Sequence, residues 1–317
     1  MEKQKIFFWI NISFIGLLLG IIFLLSQFDM RFVNQDTVKF YELKKRNIKL
    51  KIINLGSSHT SYGIKYPSEL EAWNLALPAQ LYFSDYQILK QYLNKLNKKC
   101  IVIIPVSLFS FSNNIKDYPI DRYIYILNRK NFTEMSKKNL NNIEYFLKRN
   151  VPILFQGQRI ISIIKYIYKS IKKGKFEKQF VEYPRTLTKL ENKEKTEFSI
   201  NAMLNGYDNS NSEVRTLIKI LEYIESKEYI PVLITTPYTY FYNEKIGKNT
   251  FQRNINDNIE YINKNFNKNF LYLDYSHDKR FENNFEYFRD SNHLNEKGAE
   301  YFTEILLEDL ERNGLNF

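Results

Sequence analysis

The longest uninterrupted hydrophobic stretch opens the chain. Residues Ile6 to Phe28, IFFWINISFIGLLLGIIFLLSQF, carry no charge. At about 1.5 Å rise per residue, a helix of this length crosses a roughly 30 Å hydrocarbon core. Lys3 and Lys5 precede it, so the positive-inside rule predicts a short cytoplasmic end and a body beyond the membrane. A cleaved signal peptide is the competing reading, but the segment SQFDMRF after the apolar run shows no small-x-small cleavage pattern. The expected organisation is therefore a cytoplasmic N-terminus and transmembrane anchor over 1–28 and a charged juxtamembrane connector without strong periodicity over 29–49. A body over 50–317 follows.

Within the body, four short apolar runs recur: LKIINLG (Leu50 to Gly56), CIVIIPV (Cys100 to Val106), YIPVLITTP (Tyr229 to Pro237) and NFLYLDY (Asn269 to Tyr275). They are continuous rather than alternating, which predicts strands buried on both faces. Helical patterns separate them. SDYQILKQYLNKLNKK places Tyr86, Leu89, Tyr92, Leu93 and Leu96 on one face, with Ser84 or Asp85 as its cap. SEVRTLIKILEYIESKEY and FQRNINDNIEYINKNF precede the third and fourth runs, and NEKGAEYFTEILLEDLER closes the chain. Strands alternating with helices predict an α/β fold of three layers around a parallel sheet, with ligands beyond the carboxyl ends of the strands. Residues 115–210 interrupt the alternation as a largely helical insertion. There, RIISIIKYIYKSIKKGKF spaces Ile160, Ile164, Ile167 and Ile171 helically, with Lys165, Lys169 and Lys172 between them. Such a helix lies on an anionic membrane surface or packs its isoleucines on the body. The pattern alone favours packing.

Composition narrows the chemistry more than the fold. The chain has 317 residues, is 44% hydrophobic and carries a formal charge of +11. Its basic residues are dispersed, and with the body outside the cytoplasm no nucleic acid is expected as a partner. Anionic surface polymer or lipid headgroups suit the charge better. Cys100 is the sole cysteine, which removes intramolecular disulfides and every Cys-based zinc pattern. The chain contains neither Gly-x-x-x-x-Gly-Lys nor Gly-x-Gly-x-x-Gly. No cofactor and no metal are expected.

One stretch stands out against this background. INLGSSHTSYGI gathers a glycine, two serines and a histidine directly after the first strand, in a chain with only ten glycines and three histidines. A serine in that turn is exposed at the carboxyl edge of the sheet. Its hydroxyl needs a base to become a nucleophile. His59 adjoins Ser58, and neighbouring residues rarely present both side chains to one point. His277 and His293 each follow an aspartate by three residues, Asp274 and Asp290. An Asp-x-x-His turn lets the carboxylate accept from imidazole Nδ1, as the third member of a catalytic triad does. Asp290 and His293 sit just before the last helix, where Asn295 is a candidate cap and Gly298 lies near the start. That pair is the better candidate for reaching Ser58.

These residues resemble the SGNH (GDSL-like) hydrolase family. Gly56-Ser57-Ser58 after a strand is similar to its first block, in the DltD-like Gly-Ser-Ser form of membrane-anchored members. Asp290-Ser291-Asn292-His293, continued as HLNEKGAEYF, is similar to its last block. The resemblance covers roughly 50–111 and 229–310. It implies a flavodoxin-like SGNH fold, Ser58 as nucleophile, His293 as general base and Asp290 as the carboxylate that orients it. WNLALPAQLYF resembles the second block, with Ala79 in place of the usual glycine as an oxyanion donor and Gln80 as a further donor. In the third block, where asparagine is usual, Ser107 is the nearest polar residue. The Ser58 N–H completes the expected oxyanion hole. The resemblance further implies an extracytoplasmic serine esterase or O-acyltransferase acting on acyl esters of cell-surface polysaccharide or teichoic acid. A membrane-bound acyltransferase is an expected partner. The altered middle blocks keep a second expectation open: a non-catalytic module that binds surface polymer or assists an acyl-transfer assembly.

Overall fold

The apolar runs fold as strands of one parallel sheet in the computed structural model, which describes residues 2–108, 110–111, 120–136, 140–178, 188, 191, 193–197, 200 and 211–317. The strands are β1 (Leu50–Asn54), β2 (Ala72–Asn74), β3 (Leu96–Pro105), β4 (Ile230–Thr235) and β5 (Leu271–Asp274), in the order β2-β1-β3-β4-β5. Ile53 lies beside Trp73 and Val102, Ile103 beside Val232, and Ile234 beside Leu273. Ile52, Ile101, Ile103, Val232 and Ile234 pack in one cluster with Phe302, Ile305 and Leu306 of the last helix, Glu296–Arg312. The intervening Ile53, Val102, Ile104 and Leu233 are equally buried. Burial of both residue sets is why the runs are continuous in sequence rather than alternating. The protein is thus an α/β fold with a parallel central sheet and flanking helices.

The chain divides into two compact units, Met1–Arg46 with Ile120–Glu182, and Asn47–Pro119 with Tyr183–Phe317. The sheet belongs to the second. From β1 the chain steps outward to β2, then crosses back to β3 on the other side of β1. Loops leaving β1 and β3 therefore diverge and open a crevice at the carboxyl edge.

Numbering helices in chain order, the first unit holds α1 (Glu2–Phe28), α2 (Gln35–Lys45), α5 (Arg129–Ser136), α6 (Asn142–Asn150) and α7 (Arg159–Lys173). The second holds α3 (Ser58–Gly63), α4 (Tyr82–Tyr92), α8 (Asn211–Glu225), α9 (Tyr240–Ile246), α10 (Asp257–Asn265) and α11 (Glu296–Arg312). Helix α1 is long and apolar enough to cross a membrane. The described parts of the 115–210 insertion, 120–136 and 140–178, are largely helical, and most of its remainder lies outside the described residues.

Several local expectations needed correction. The connector 29–49 contains a helix, α2, which buries Val38, Phe40 and Leu43. The helix expected over 84–99 stops at Tyr92, and Leu96 already pairs with Leu50 in the sheet. Its N-cap is Leu81, not Ser84 or Asp85; both are buried in the first turn. Strand β2 is three residues long, too short to register as a run. On α7 most of the expected isoleucine stripe is left uncovered. Ile160, Ile164 and Ile171 are exposed, Ile167 is half-buried against the cluster, and Ile163, Tyr166 and Ser170 are buried.

The end of the chain follows its sequence closely. The Asn295 side chain accepts from the Gly298 N–H at 3.0 Å and caps α11. A Cβ on Gly298 would lie 2.1 Å from the Tyr287 carbonyl oxygen, so only glycine allows the helix to start so near the preceding loop.

Candidate active site

The turn after β1 is shaped by three local constraints. Gly56 adopts φ +106, and a Cβ there would fall 2.0 Å from Pro105 Cγ, so the tight approach of the turn to β3 requires glycine. The Gly56 N–H donates to Asp85 Oδ1 at 2.8 Å. The Thr60 hydroxyl donates to the Leu55 carbonyl at 2.8 Å. Asn74, at the end of β2, supports α3 from below by donating to the Thr60 and Ile64 carbonyls, both at 2.9 Å. Ser57 then occupies the N-cap, and Ser58 opens α3 at the carboxyl edge of the sheet.

His293 reaches the same point from the other end of the chain. Phe288 and Leu294 form an isolated antiparallel bridge, and the Arg289 N–H donates to the His293 carbonyl at 3.0 Å. The loop between them is thereby held as a tight hairpin. Asp290 Oδ1 accepts from the His293 backbone N–H at 2.9 Å and from its Nδ1 at 2.8 Å. A carboxylate can only accept, so the proton sits on Nδ1 and Nε2 carries the lone pair. Nε2 lies 2.8 Å from the Ser58 hydroxyl, which donates to it. Ser58, His293 and Asp290 thus form one continuous hydrogen-bonded relay, although 232 positions separate Ser58 from Asp290 in the numbering. Burial alone would raise the Asp290 carboxyl. The charge of His293 and its hydrogen bond, with Arg289 beside them, outweigh it and hold the group well below the usual carboxylate range.

The other candidate pair does not assemble. Asp274 accepts from the Ser276 N–H, and His277 instead faces Glu282, with Nδ1 3.3 Å from Oε1. His277 is exposed on its imidazole and takes no part in the crevice.

A cavity of about 460 Å³ opens over Ser58 and His293. Gly56, Ala79, Gln80, Ser107, Asp290, Arg289 and Lys195 are among its lining residues. Ala79 has φ +55, a backbone region that favours glycine, which accounts for the glycine usual in this block of the resembled family. Its N–H and that of Ser58 have no hydrogen-bond acceptor among the described residues, so both are free to meet a ligand. Gln80 is placed differently from expectation. Its amide donates to Asp85 Oδ1 at 2.6 Å, away from a role as an oxyanion donor. The Ser107 N–H donates to the Ser110 hydroxyl at 2.8 Å, and the two hydroxyls share a 3.1 Å hydrogen bond; when Ser110 supplies its proton, the Ser107 O–H is the group that can turn to the cavity.

Three residues that sequence reasoning passed over belong here. His59, set aside for its adjacency to Ser58, stacks its ring on His293 at 4.8 Å between centroids. Burial, then the nearby charge of His293, pull its pKa down to about 3, against the opposing pull of Asp290. It therefore stays neutral where His293 must gain a proton. Asn292 holds it, donating from Nδ2 to His59 Nε2 at 3.3 Å. Arg289 pairs with Asp290 Oδ2 at 3.3 Å and covers Tyr62, with 4.6 Å from guanidinium to ring centroid. Its position next to Asp290 was the available signal. Asp85, seen only as a helix cap, is buried beneath the serine turn. Burial pushes its carboxyl up to about 7, against the hydrogen bonds from Gly56 and Gln80. Among the described residues no three His, Cys, Asp or Glu side chains gather as metal ligands would.

No family model and no curated protein matches the sequence. Solved structures show shallow likenesses. A protein described as a candidate acylhydrolase from Bacteroides fragilis aligns with a TM-score of 0.43 at 10% identity, over 87% of this chain and 95% of its own. One described as a candidate platelet activating factor from Streptococcus pneumonia gives 0.41 at 10% identity, over 95% and 99%. One described as a candidate lipolytic protein of the G-D-S-L family from Desulfitobacterium hafniense gives 0.35 at 15% identity, over 82% and 99%. The chemistry that follows rests on the geometry of this chain.

Proposed function

We propose that the chain is a serine-dependent acyl-ester hydrolase or acyltransferase, with Ser58 as nucleophile, His293 as general base and Asp290 as its orienting carboxylate. The observation that carries this reading is the unbroken relay from Ser58 Oγ to His293 Nε2 and from His293 Nδ1 to Asp290 Oδ1, each link 2.8 Å long, beneath a cavity.

The steps follow from that geometry. Ser58 Oγ attacks the ester carbonyl while His293 Nε2 takes the hydroxyl proton. A general base so placed contributes about 10²–10⁴ in rate. Asp290 stays ionised and stabilises the imidazolium. The developing oxyanion is met by the N–H groups of Ser58 and Ala79 and by the Ser107 hydroxyl; each such donor is worth about 10²–10³. The leaving alcohol takes its proton from Nε2, and the acyl group remains on Ser58 as an ester. Water then yields the acid, whereas a sugar hydroxyl yields a new ester; either incoming group gives its proton back to Nε2.

The finer reading places this chemistry outside the cytoplasmic membrane, on acyl esters of cell-surface polysaccharide or teichoic acid, with a membrane-bound acyltransferase as the partner that supplies acyl groups. It is supported by the charge-free Ile6 to Phe28 run behind Lys3 and Lys5 and by the resemblance of the Gly56-Ser57-Ser58 block to anchored members of the family. A fluorophosphonate probe on the detergent-solubilised full chain tests the catalytic part. Labelling at Ser58 that Ser58→Ala abolishes and Ser57→Ala retains is the expected result. An unlabelled but folded protein would return the site to the non-catalytic, polymer-binding reading. A reporter active only outside the membrane, fused after Phe317, should be active if the topology is right.

A further inference from the structure

We infer that α6, α7 and the turn between them form an interfacial shoe, whose apolar face lies in the headgroup region of the same bilayer that α1 crosses. The inference rests on the reading of α1 as a membrane anchor and adds a second, non-spanning membrane contact to it.

Helix α7 has two apolar faces. One, through Ile163 and Tyr166, is buried in a cluster with Val33, Ile153, Ile22, Leu25 and Phe28. The neighbouring one, about 100° around the helix, is bare: Ile164 is 60% and Ile171 68% exposed. On α6, Ile143 is 72% exposed, and Phe146 is exposed beside it. A soluble surface rarely leaves large apolar side chains bare on two successive helices, and such exposure marks a contact with protein or lipid.

Lipid is the occupant favoured by where the face sits. Both helices are clamped to the carboxyl end of α1. Arg159, opening α7, pairs with Asp29 at 2.7 Å, just after α1 ends. Tyr166 sets its ring against Phe28 with 5.7 Å between centroids. The Gln27 amide donates to the carbonyl of Asn150, the last residue of α6, at 3.0 Å. Side chains of α1 are exposed from Ile6 to Leu24 except Ile22, which is half-buried in that cluster, and full burial begins at Ser26. About 19 residues at about 1.5 Å each cover most of a hydrocarbon core, so the clamp falls at its outer boundary. A helix held at that level with an outward apolar face has the geometry of an interfacial helix, sunk about 5–10 Å at the headgroup boundary.

The charges fit the same depth. Lys165, Lys169 and Lys172 line one flank of α7, between the exposed isoleucines and the buried face. Their apolar stems can run along the boundary while their ammonium groups reach anionic headgroups. This arrangement would restrain the end of α1 at two points instead of one.

The test uses the full chain in vesicles of phosphatidylcholine with phosphatidylglycerol. A fluorophore is attached in separate variants, Ile164→Cys, Ile171→Cys and Phe14→Cys. Cys100 is buried and its thiol is pushed up to about 12, so it stays unlabelled at neutral pH. Quenching by lipids carrying a nitroxide near the headgroup or deep in the chain reads the depth of each site. The expected result is several-fold quenching at 164 and 171, greatest with the shallow nitroxide, and deep quenching at 14. The two α7 positions are surface sites and serve as independent copies of the test. Quenching at 14 with 164 and 171 unquenched by either lipid would overturn the shoe and leave the anchor standing. Unquenched labels at 14 as well would remove both. Cross-linking between copies through 164, with no quenching there, would assign the face to a second chain and overturn the lipid contact.

Discussion

Asp290→Asn tests the proposed mechanism at the link that the geometry describes most fully. The carboxylate takes the His293 backbone N–H, the His293 Nδ1–H and the Asn292 N–H, at 2.9, 2.8 and 3.3 Å, all on Oδ1. An asparagine carbonyl has the same shape and can keep the two backbone bonds, so the hairpin between Phe288 and Leu294 should persist. What disappears is the charge facing the imidazolium. Unit charges about 4 Å apart attract by about 4 kcal/mol at an effective dielectric of about 20. With about 1.36 kcal/mol per factor of ten, that loss slows the chemical step by about 10³. An amide that turns its NH₂ toward the ring would also favour the wrong tautomer, with the proton on Nε2, where Ser58 needs a base; substitutions of this kind bring the loss to about 10⁴. The assay is hydrolysis of a p-nitrophenyl acyl ester by the detergent-solubilised full chain, following kcat and kcat/KM together. Both should fall by about the same factor, because the interaction strengthens only in the transition state. A folded variant that retains kcat within tenfold of the parent would refute the role given to Asp290.

The two outlying histidines should separate cleanly: His293→Ala removes the base and lowers ester turnover by about 10²–10⁴, whereas His277→Ala, which loses contacts to Glu282 and the Phe251 ring away from the crevice, should leave turnover near the parent value. Equal losses in folded variants would reject the assignment. Asp85, whose folded carboxyl is raised to about 7 from an ordinary 3.8, stabilises the fold fully below the unfolded value and progressively less as pH rises through 7. Asp85→Asn keeps an acceptor for Gly56 and Gln80 without that titration, so its Tm relative to the parent should improve between pH 5 and 8, as read by thermal melts across that range; a constant offset would contradict the burial argument. Ala79→Gly relieves a left-handed backbone conformation that costs about 1–2 kcal/mol for a residue with a Cβ, so it should escape the usual loss of about 0.5–1 kcal/mol on introducing glycine. Turnover should be retained, and a Tm lowered as at an ordinary position would show that the conformation is unstrained.

Much of this protein is local and therefore readable along the chain. The buried strands β1, β3, β4 and β5 declare themselves because burial on both faces demands unbroken apolar runs. Asn295 and Gly298 mark the start of α11 because capping and close approach act within a few residues. The Gly56-Ser57-Ser58 turn and the Asp290 to His293 turn are each complete in four residues or fewer. Whether the two turns meet is another matter. Only the strand order β2-β1-β3-β4-β5 brings the end of β1 and the loop before α11 to one edge. The stacking of His59 on His293 and the burial of Asp85 depend on neighbours contributed by packing, which no spacing rule contains. Helix α7 makes the limit plainest. Its isoleucines recur at helical spacing on two sides, so periodicity shows a helix with an apolar stripe but not which stripe is covered. The cluster of Phe28, Val33 and Ile153 against Ile163 and Tyr166 decided that, because a side chain is buried by what lies against it and not by its own hydrophobicity.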